Sequence, residues 1–372
     1  MAKSAPPCSP SSIPSKEPAM LHRTLIASLL GLALVGCNQQ DPRAKVSAAL
    51  VDGVLLPAYS SWQEADRQLA GSTAAFCAGT ADLPAARQAF LGAQNAWAGL
   101  QPLLIGPLAE GNRAWQIQFW PDKKNLVQRQ VEALLKNKPQ LTPADLASAS
   151  VVVQGLTAYE YVLFDANLDL NDAEQKARYC PLLQAIGTHQ QALAADIVEQ
   201  WQAKPGMAEQ LRKFPNERYA EANEAIAELL RVQVSALDGL KKKLGAPMGR
   251  QSKGIPQPYQ AESWRSAASL SNQAAALASA ERLWHGSNRD GIQSLLDKDQ
   301  AQLGQRIDAA YQDTRQRLAA LDRPLGELLA DDAGRTSLNE LYDSLNRLHR
   351  LQESELAKAL GVQIGFNAHD GD

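Results

Sequence analysis

Apolar residues recur every three or four positions along most of the chain, the spacing of one buried helix face. Over 82–100 this face is formed by Ala86, Phe90, Ala93, Trp97 and Leu100. Similar spacing predicts further helices over 44–71, 122–136, 142–164, 175–203, 216–244, 262–285, 290–321 and 337–360. Long amphipathic helices joined by short loops are typical of helical bundles. We therefore predict an all-α protein made of two helical bundles packed side by side.

Proline and glycine interrupt this pattern at a few places. Pro57 is expected to kink or interrupt the first helix. The break at residues 204–206, followed by Pro215, predicts a boundary between an N-terminal bundle (44–205) and a C-terminal bundle (206–372). Residues 245–259, rich in Gly and Pro, are expected to form a loop or linker.

Residues 101–121 form a long segment that breaks the helical pattern and is nevertheless apolar. It contains Trp115, Phe119 and Trp120 among several Pro and Gly residues. Long irregular loops in compact domains are often functional. The alternative is a plug that covers the end of a bundle.

Composition supports the helical prediction and excludes one class of partner. Ala, Leu, Gln and Glu are common, which favours helix over sheet. The net charge is −3, and no basic stripe alternates with aromatic residues, so we expect no nucleic-acid partner. The common catalytic sequence motifs, such as His-Glu-x-x-His or Gly-x-Ser-x-Gly, are missing.

The start of the chain has the pattern of a lipoprotein signal peptide. Residues 20–36 carry a short basic start and an apolar run of about 11 residues, too short to span a bilayer. Small residues then precede Cys37, the predicted lipidation site, and 37–43 would form the lipidated tether. Residues 1–19 are predicted to be a non-native or disordered extension. The lipid would make the membrane a partner, and Asn38 after the cysteine favours the outer membrane.

Two further cysteines, Cys77 and Cys180, lie in the predicted helical body. In an oxidising compartment such a pair favours a disulfide. The alternative is two buried free thiols.

One predicted helix carries a carboxylate on its apolar face. On 142–164 that face passes through Ala149, Val153, Leu156 and Leu163, and Glu160 completes it. A buried carboxylate is unfavourable unless it is paired, protonated or bound to a metal. Glu160 is therefore either a site residue or a structural residue paired with an arginine or a tyrosine.

The surrounding residues resemble a known family. Residues 155–160 read Gly-Leu-Thr-Ala-Tyr-Glu, which resembles the Gly-x-His-x-x-Glu motif of the imelysin family. The C-terminal residues 365–372 are similar to that family's Gly-Phe-Asn-x-x-Asp-Gly-Asp terminus. The run 119–122, Phe-Trp-Pro-Asp, also looks like a family feature.

The resemblance implies two helical bundles with the motif near their junction. It also implies a link to iron uptake, since many members are envelope lipoproteins of that kind, and the family was first described as metallopeptidases. The binding or motif residues that it implies are Gly155, Thr157, Glu160, Trp120, Asp122, Phe366, Asn367, Asp370 and Asp372. Glu160 would be a ligand for a divalent metal or iron. Thr157 stands where the family has histidine, and a hydroxyl is a poor ligand for zinc or ferrous iron.

Three functions remain open from the sequence. The first is a non-catalytic binding protein in iron or metal acquisition, whose ligand is a metal, a chelate or an iron-uptake partner protein. The second is a metal-dependent peptidase that uses Glu160 as ligand or base. The third is a scaffold that docks another envelope protein through residues 101–121.

Overall fold

Helices make up most of the part of the chain that the structure describes, residues 41–364 of a computed structural model, and no strand occurs in that range. The long helices are α1 (Pro42–Leu50, a π-helical turn Val51–Leu55, and Leu56–Cys77), α2 (Leu83–Leu100), α3 (Leu126–Asn137), α4 (Leu156–Phe164), α5 (Ala173–Gln202), α6 (Ala222–Gly245), α7 (Ser269–His285), α8 (Ala301–Ala319) and α9 (Asp332–Arg350, a π-helical turn Leu351–Leu356, and Ala357–Leu360). Shorter α-helices span Arg113–Ile117, Pro143–Ala147, Met207–Arg212 and Leu325–Leu328. Short 3-10 turns span Gln101–Leu103, Gly106–Ala109, Val151–Val153, Pro258–Gln260, Ile292–Leu295 and Lys298–Gln300.

The helices form two bundles that lie side by side. In the first, α1 packs against α2 and α5, and α4 packs against α2, α3 and α5. In the second, α6 and α8 both pack against α9, and α7 contacts α6 and α8. Helix α7 also packs along α2 and so joins the bundles. The predicted fold class is confirmed, whereas the boundary at residues 205–206 stays a prediction, because helices on both sides of it belong to one compact unit.

The first helix continues through Pro57, where we expected a kink or an interruption. Pro57 lies in the first turn of Leu56–Cys77, directly after the π-helical turn Val51–Leu55. A proline cannot donate the helical hydrogen bond to the carbonyl four residues earlier. The wider turn alters the bonding pattern at that point, which allows the chain to continue as helix.

The predicted helix over 142–164 is divided in the structure. Thr142 caps the first part, but that part ends at Ala147, and α4 begins only at Leu156. Gly155 lies between them in an extended conformation, and a Cβ there would come within 2.3 Å of the carbonyl oxygen of Ile117. This close backbone approach prevents one continuous helix. Thr157 and Glu160 nevertheless lie together on α4.

A disulfide joins Cys77, at the end of α1, to Cys180 near the start of α5. It therefore connects two neighbouring helices of the first bundle. No helix within residues 41–364 has the length and apolar character that a bilayer span needs.

The interior of the first bundle contains an unpaired carboxyl group. Asp66 on α1 is fully buried, and neither of its carboxylate oxygens has a hydrogen-bond partner within the described range. Burial therefore raises the pKa of Asp66 well above its usual value.

This raised pKa predicts a pH dependence of stability. Above about pH 4 the unfolded chain loses the Asp66 proton while the folded chain keeps it, so the free energy of unfolding falls as the pH rises. We expect Asp66→Asn to become more stable than wild type as the pH rises, by up to about 1.4 kcal/mol per pH unit below the folded pKa. Denaturant unfolding at pH 4 to 8 measures this difference. A constant difference between Asp66→Asn and wild type across this pH range would contradict the prediction.

Candidate functional site

Glu160 lies in the middle of α4 and is 3% exposed. Ser266, from the second half of the chain, donates its backbone N–H (2.8 Å) and its hydroxyl (2.7 Å) to Oε1 of Glu160. Burial raises the pKa of Glu160, while the bonds from Ser266 and the charge of Arg265 oppose that rise. The net effect is a raised pKa, so this carboxyl holds a proton more readily than an exposed glutamate.

Ser266 belongs to an irregular segment, residues 261–268, that we call the capping loop. We expected a helix from residue 262, which was wrong for 262–268, because α7 begins at Ser269. Ser263 and Ala267 have φ values of 51° and 57°, a region that non-glycine residues rarely adopt and that interrupts a helix. Asn272 donates its amide to the hydroxyl of Ser263 (2.9 Å) and helps to hold the turn. The loop thereby directs two donors of one serine at Glu160.

A buried ion pair attaches the capping loop to α4. Nε of Arg265 donates to Oδ2 of Asp165 at 2.9 Å, and the two side chains are 3% and 7% exposed. Arg265 also donates to Oδ1 of Asn125 (3.0 Å). Burial raises the pKa of Asp165, but the bonds from Arg265 and Asn167 outweigh it and leave the pKa lowered. The ion pair therefore holds the end of α4 against the loop above Glu160.

A second ion pair lies on the other side of the capping loop. Lys243 of α6 donates to Oε1 of Glu262 and also to Oε1 of Gln101 (2.7 Å). Its ammonium group is 5.7 Å from the ring centroid of Trp120, within the range of a cation–π interaction. These contacts connect α6, the capping loop and residues 101–121, which come from both bundles.

Four of the predicted site residues meet at one small cavity. Trp120, Asp122, Thr157 and Glu160 line it together with residues of the capping loop, and the space inside is about 10 Å³, room for about one water molecule. The hydroxyl of Thr157 donates to the carbonyl of Phe119 (3.0 Å). The indole N–H of Trp120 donates to the carbonyl of Gln260 (3.1 Å).

Asp122 and Gly155 have contacts that support the fold. Asp122 borders the cavity, but its carboxylate accepts the backbone N–H groups of Leu126 (2.6 Å) and Val127 (3.2 Å) and so caps α3. Gly155 allows the close approach to Ile117 described above.

Of the other predicted residues, Cys77 and Cys180 form the disulfide, and the rest lie outside the described residues. The motif-like tail residues Phe366, Asn367, Asp370 and Asp372 are outside the described range, as is Cys37.

The donors around Glu160 do not fit a catalytic metal centre. Oε1 of Glu160 already accepts two hydrogen bonds, and the hydroxyl of Thr157 is directed at a carbonyl. The closest charged groups of the capping loop include Arg265, a cation that would repel a metal ion. Within residues 41–364, no group of three or more His, Cys, Asp or Glu side chains is arranged to hold a metal.

Three large apolar side chains of the described range are exposed, and one of them, Tyr259, lines this cavity. They are Trp115 (42% exposed), Ile255 (61%) and Tyr259 (69%). Trp115 contacts Phe119, and Tyr259 stacks edge-on against Trp264, with ring centroids 5.9 and 4.8 Å apart. We call Trp115, Phe119, Tyr259 and Trp264 the aromatic rim. Residues 101–121 are largely buried, with Trp115 exposed, and the two predicted alternatives for this segment, a functional loop or a plug, both stay open.

The sequence reasoning missed the residues of the capping loop. Ser266 and Arg265 form the closest contacts of Glu160 and Asp165, yet they were assigned to a helix. The one signal in the sequence was the requirement that a buried Glu160 find a partner. The requirement does not tell which residue of the chain is the partner of Glu160.

The comparisons with known proteins agree with this architecture. The family model of imelysin matches residues 55–352, so the chain belongs to the imelysin family. The predicted family is thereby confirmed. No curated protein sequence matches the chain.

Two solved structures share the fold. One is an imelysin-like protein from Psychrobacter arcticum 273-4, with a TM-score of 0.74 and 22% identity over 87% of this chain and 97% of that chain. The other is a Parabacteroides distasonis ATCC 8503 protein described as an iron-regulated protein A precursor, with a TM-score of 0.68 and 17% identity over 86% and 95% of the two chains.

Proposed function

We propose that this chain is a non-catalytic binding protein of the bacterial envelope that takes part in iron or metal acquisition. The observation that carries the proposal is the environment of the Glu160 side chain. Its carboxylate is buried and held by Ser266, beside a small cavity that residues of both bundles line. A buried carboxyl group with a raised pKa, placed where segments of both bundles meet, is a functional-site candidate.

The iron association has support from relatives. The chain belongs to the imelysin family, and one structure with the same fold is described as an iron-regulated protein A precursor. The proposal extends that association to this chain.

The peptidase alternative has less support from the site. Metal-dependent hydrolysis needs a metal with an open coordination position for water. Thr157, which by the sequence resemblance stands where the family has histidine, donates to a carbonyl, while Glu160 accepts from Ser266. These residues do not fit that chemistry, so we derive no hydrolytic step.

The cellular location of the protein is also part of the proposal. We place the protein at the outer membrane, on a lipid attached to Cys37, because the apolar run and small residues before that cysteine have the lipoprotein pattern. The lipid would hold the helical body at the envelope, where iron uptake begins.

Growth under iron limitation tests the proposed role. A strain that lacks the gene should grow more slowly than wild type when a chelator limits iron, and equally well when iron is supplied. A plasmid copy of the gene should restore growth. Equal growth of the two strains under both conditions would contradict the role in iron acquisition.

A further inference from the structure

A second cavity, much larger than the one beside Glu160, lies between the capping loop and the segment that precedes α9. Its volume is about 390 Å³, within the usual range for ligand sites. We call it the Tyr259 groove. Its walls are mostly apolar and include two prolines and two aromatic rings; the lining residues that matter here are Pro258, Tyr259, Trp264, Pro324, Leu325 and Glu327. The Tyr259 groove therefore has room for part of a ligand.

The two aromatic rings of the Tyr259 groove hold each other in place. Tyr259 and Trp264 pack edge to face, with ring centroids 4.8 Å apart and ring planes at 79°. The guanidinium of Arg265 lies 4.4 Å from the ring of Trp264, and the buried Asp165 holds Arg265 in turn. Tyr259 is nevertheless 69% exposed. A ligand that packs on Tyr259 thus meets rings that are already ordered, which lowers the entropic cost of binding.

The polar atoms of these two rings are donors without partners. Within residues 41–364, neither the indole N–H of Trp264 nor the hydroxyl of Tyr259 forms a hydrogen bond. An indole N–H only donates, and a tyrosine hydroxyl donates as well as accepts. This wall of the Tyr259 groove therefore suits a ligand that is apolar and rich in hydrogen-bond acceptors.

A proline-rich segment in the polyproline II conformation has both properties. Each proline contributes an apolar ring and a carbonyl but no N–H. The polyproline II helix forms no internal hydrogen bonds, so its carbonyls are free to accept. Because this helix is formed before binding, such segments dock in aromatic-lined grooves at a small entropic cost.

One free charge at the Tyr259 groove indicates which residue accompanies the prolines. Glu327 lines the groove, is exposed, and forms no ion pair or hydrogen bond within the part of the chain that the structure describes. The neighbouring cation Arg323 is paired with Asp331 instead, at 2.7 Å. The carboxylate of Glu327 is therefore the complement of a basic residue on the ligand.

We propose that the Tyr259 groove binds an extended, proline-rich segment of a partner protein that also carries a basic residue. The proline rings pack on Tyr259, the donors of Tyr259 and Trp264 bond to carbonyls of the segment, and the basic residue lies beside Glu327. This binding does not use the Glu160 carboxyl, so it stands apart from the proposed role in iron acquisition.

Binding of synthetic peptides to the full chain tests the proposal. The probe is a short acetylated and amidated peptide of Pro-Pro-Arg repeats. In one comparison peptide alanine replaces every proline, and in the other glutamate replaces every arginine. By calorimetry we expect saturable binding of the probe, binding of the alanine peptide about tenfold or more weaker, and binding of the glutamate peptide about threefold or more weaker. No saturable binding of the probe, or equal affinity for the probe and either comparison peptide, would overturn the proposal.

Three variants locate the binding. Tyr259→Ala removes the exposed ring and should weaken the probe about tenfold. Glu327→Gln removes the charge and keeps the shape, and it should weaken the probe about threefold. Glu355→Gln is the matched control for the charge, since it lies at an exposed ion pair with Arg306 near the opposite end of α9, and it should leave the affinity unchanged.

The variants contradict the proposal in two cases. Circular dichroism first checks that each variant keeps its fold. An unchanged affinity for the probe in Tyr259→Ala or in Glu327→Gln would place the peptide elsewhere and overturn the proposal. An equal loss in Glu327→Gln and Glu355→Gln would show a general effect of net charge and would overturn it as well.

Discussion

Arg265→Ala should lower the free energy of unfolding by about 3–5 kcal/mol, because it leaves Asp165 buried without its cationic partner. The side chains of this ion pair are 3% and 7% exposed, so in the folded wild type the Asp165 carboxylate is stabilised by Arg265 rather than by solvent. The substitution also removes the bond to Asn125 and the packing of the guanidinium on Trp264. Denaturant unfolding monitored by circular dichroism measures the loss.

A matched exposed pair provides the control for this prediction. Arg306 and Glu355 form an ion pair whose side chains are 52% and 45% exposed. Exposed pairs stabilise by about 0–1 kcal/mol, so Arg306→Ala should have a small effect. Equal losses in the two variants would show that the burial of the Arg265–Asp165 pair has no energetic consequence. Replacing both Arg265 and Asp165 by apolar residues should recover part of the loss.

Removal of the disulfide should also be strongly destabilising. Cys77 and Cys180 are 103 residues apart, and cross-linking a loop of about 100 residues restricts the unfolded chain by about 4–5 kcal/mol in the loop-entropy model. We expect the double variant Cys77→Ala, Cys180→Ala to lose about 2–5 kcal/mol relative to the oxidised wild type. Urea unfolding of both proteins measures the difference.

Reduction of the wild type gives an independent check. A reductant should lower the stability of wild type toward that of the double variant and leave the double variant nearly unchanged. If the oxidised wild type and the double variant unfold at the same urea concentration, the cross-link does not restrict the unfolded state as predicted.

The helical architecture followed from the sequence because it depends on local and repetitive signals. The apolar spacing of 82–100 predicts a buried face, and the structure forms α2 there, with Phe90 and Trp97 buried. Thr142 followed by Pro143 and Asp145 predicts a helix start, and the structure has a capping box at that position. Such signals act within a few residues, so a single sequence carries them.

Only part of the site could be predicted from the sequence, because the contacts that form it join segments that are far apart in the chain. Glu160 was identified from its place on the apolar face of the predicted helix 142–164, whereas Thr157 and Trp120 came from the resemblance to the imelysin family. The division at Gly155 depends on the backbone of Ile117, and the capping loop depends on partners in α4. In both places the helical spacing of the apolar residues continued across a break caused by a tertiary contact.

The claim that Glu160 belongs to a binding site rather than a catalytic one is tested most directly by a cleavage assay. Purified protein is incubated with a peptide library, with and without added zinc or iron and with and without a chelator, and wild type is compared with Glu160→Gln. We predict no cleavage above the background of a buffer control in any of these conditions. Chelator-sensitive cleavage that Glu160→Gln abolishes would contradict this account and would establish a metal-dependent peptidase.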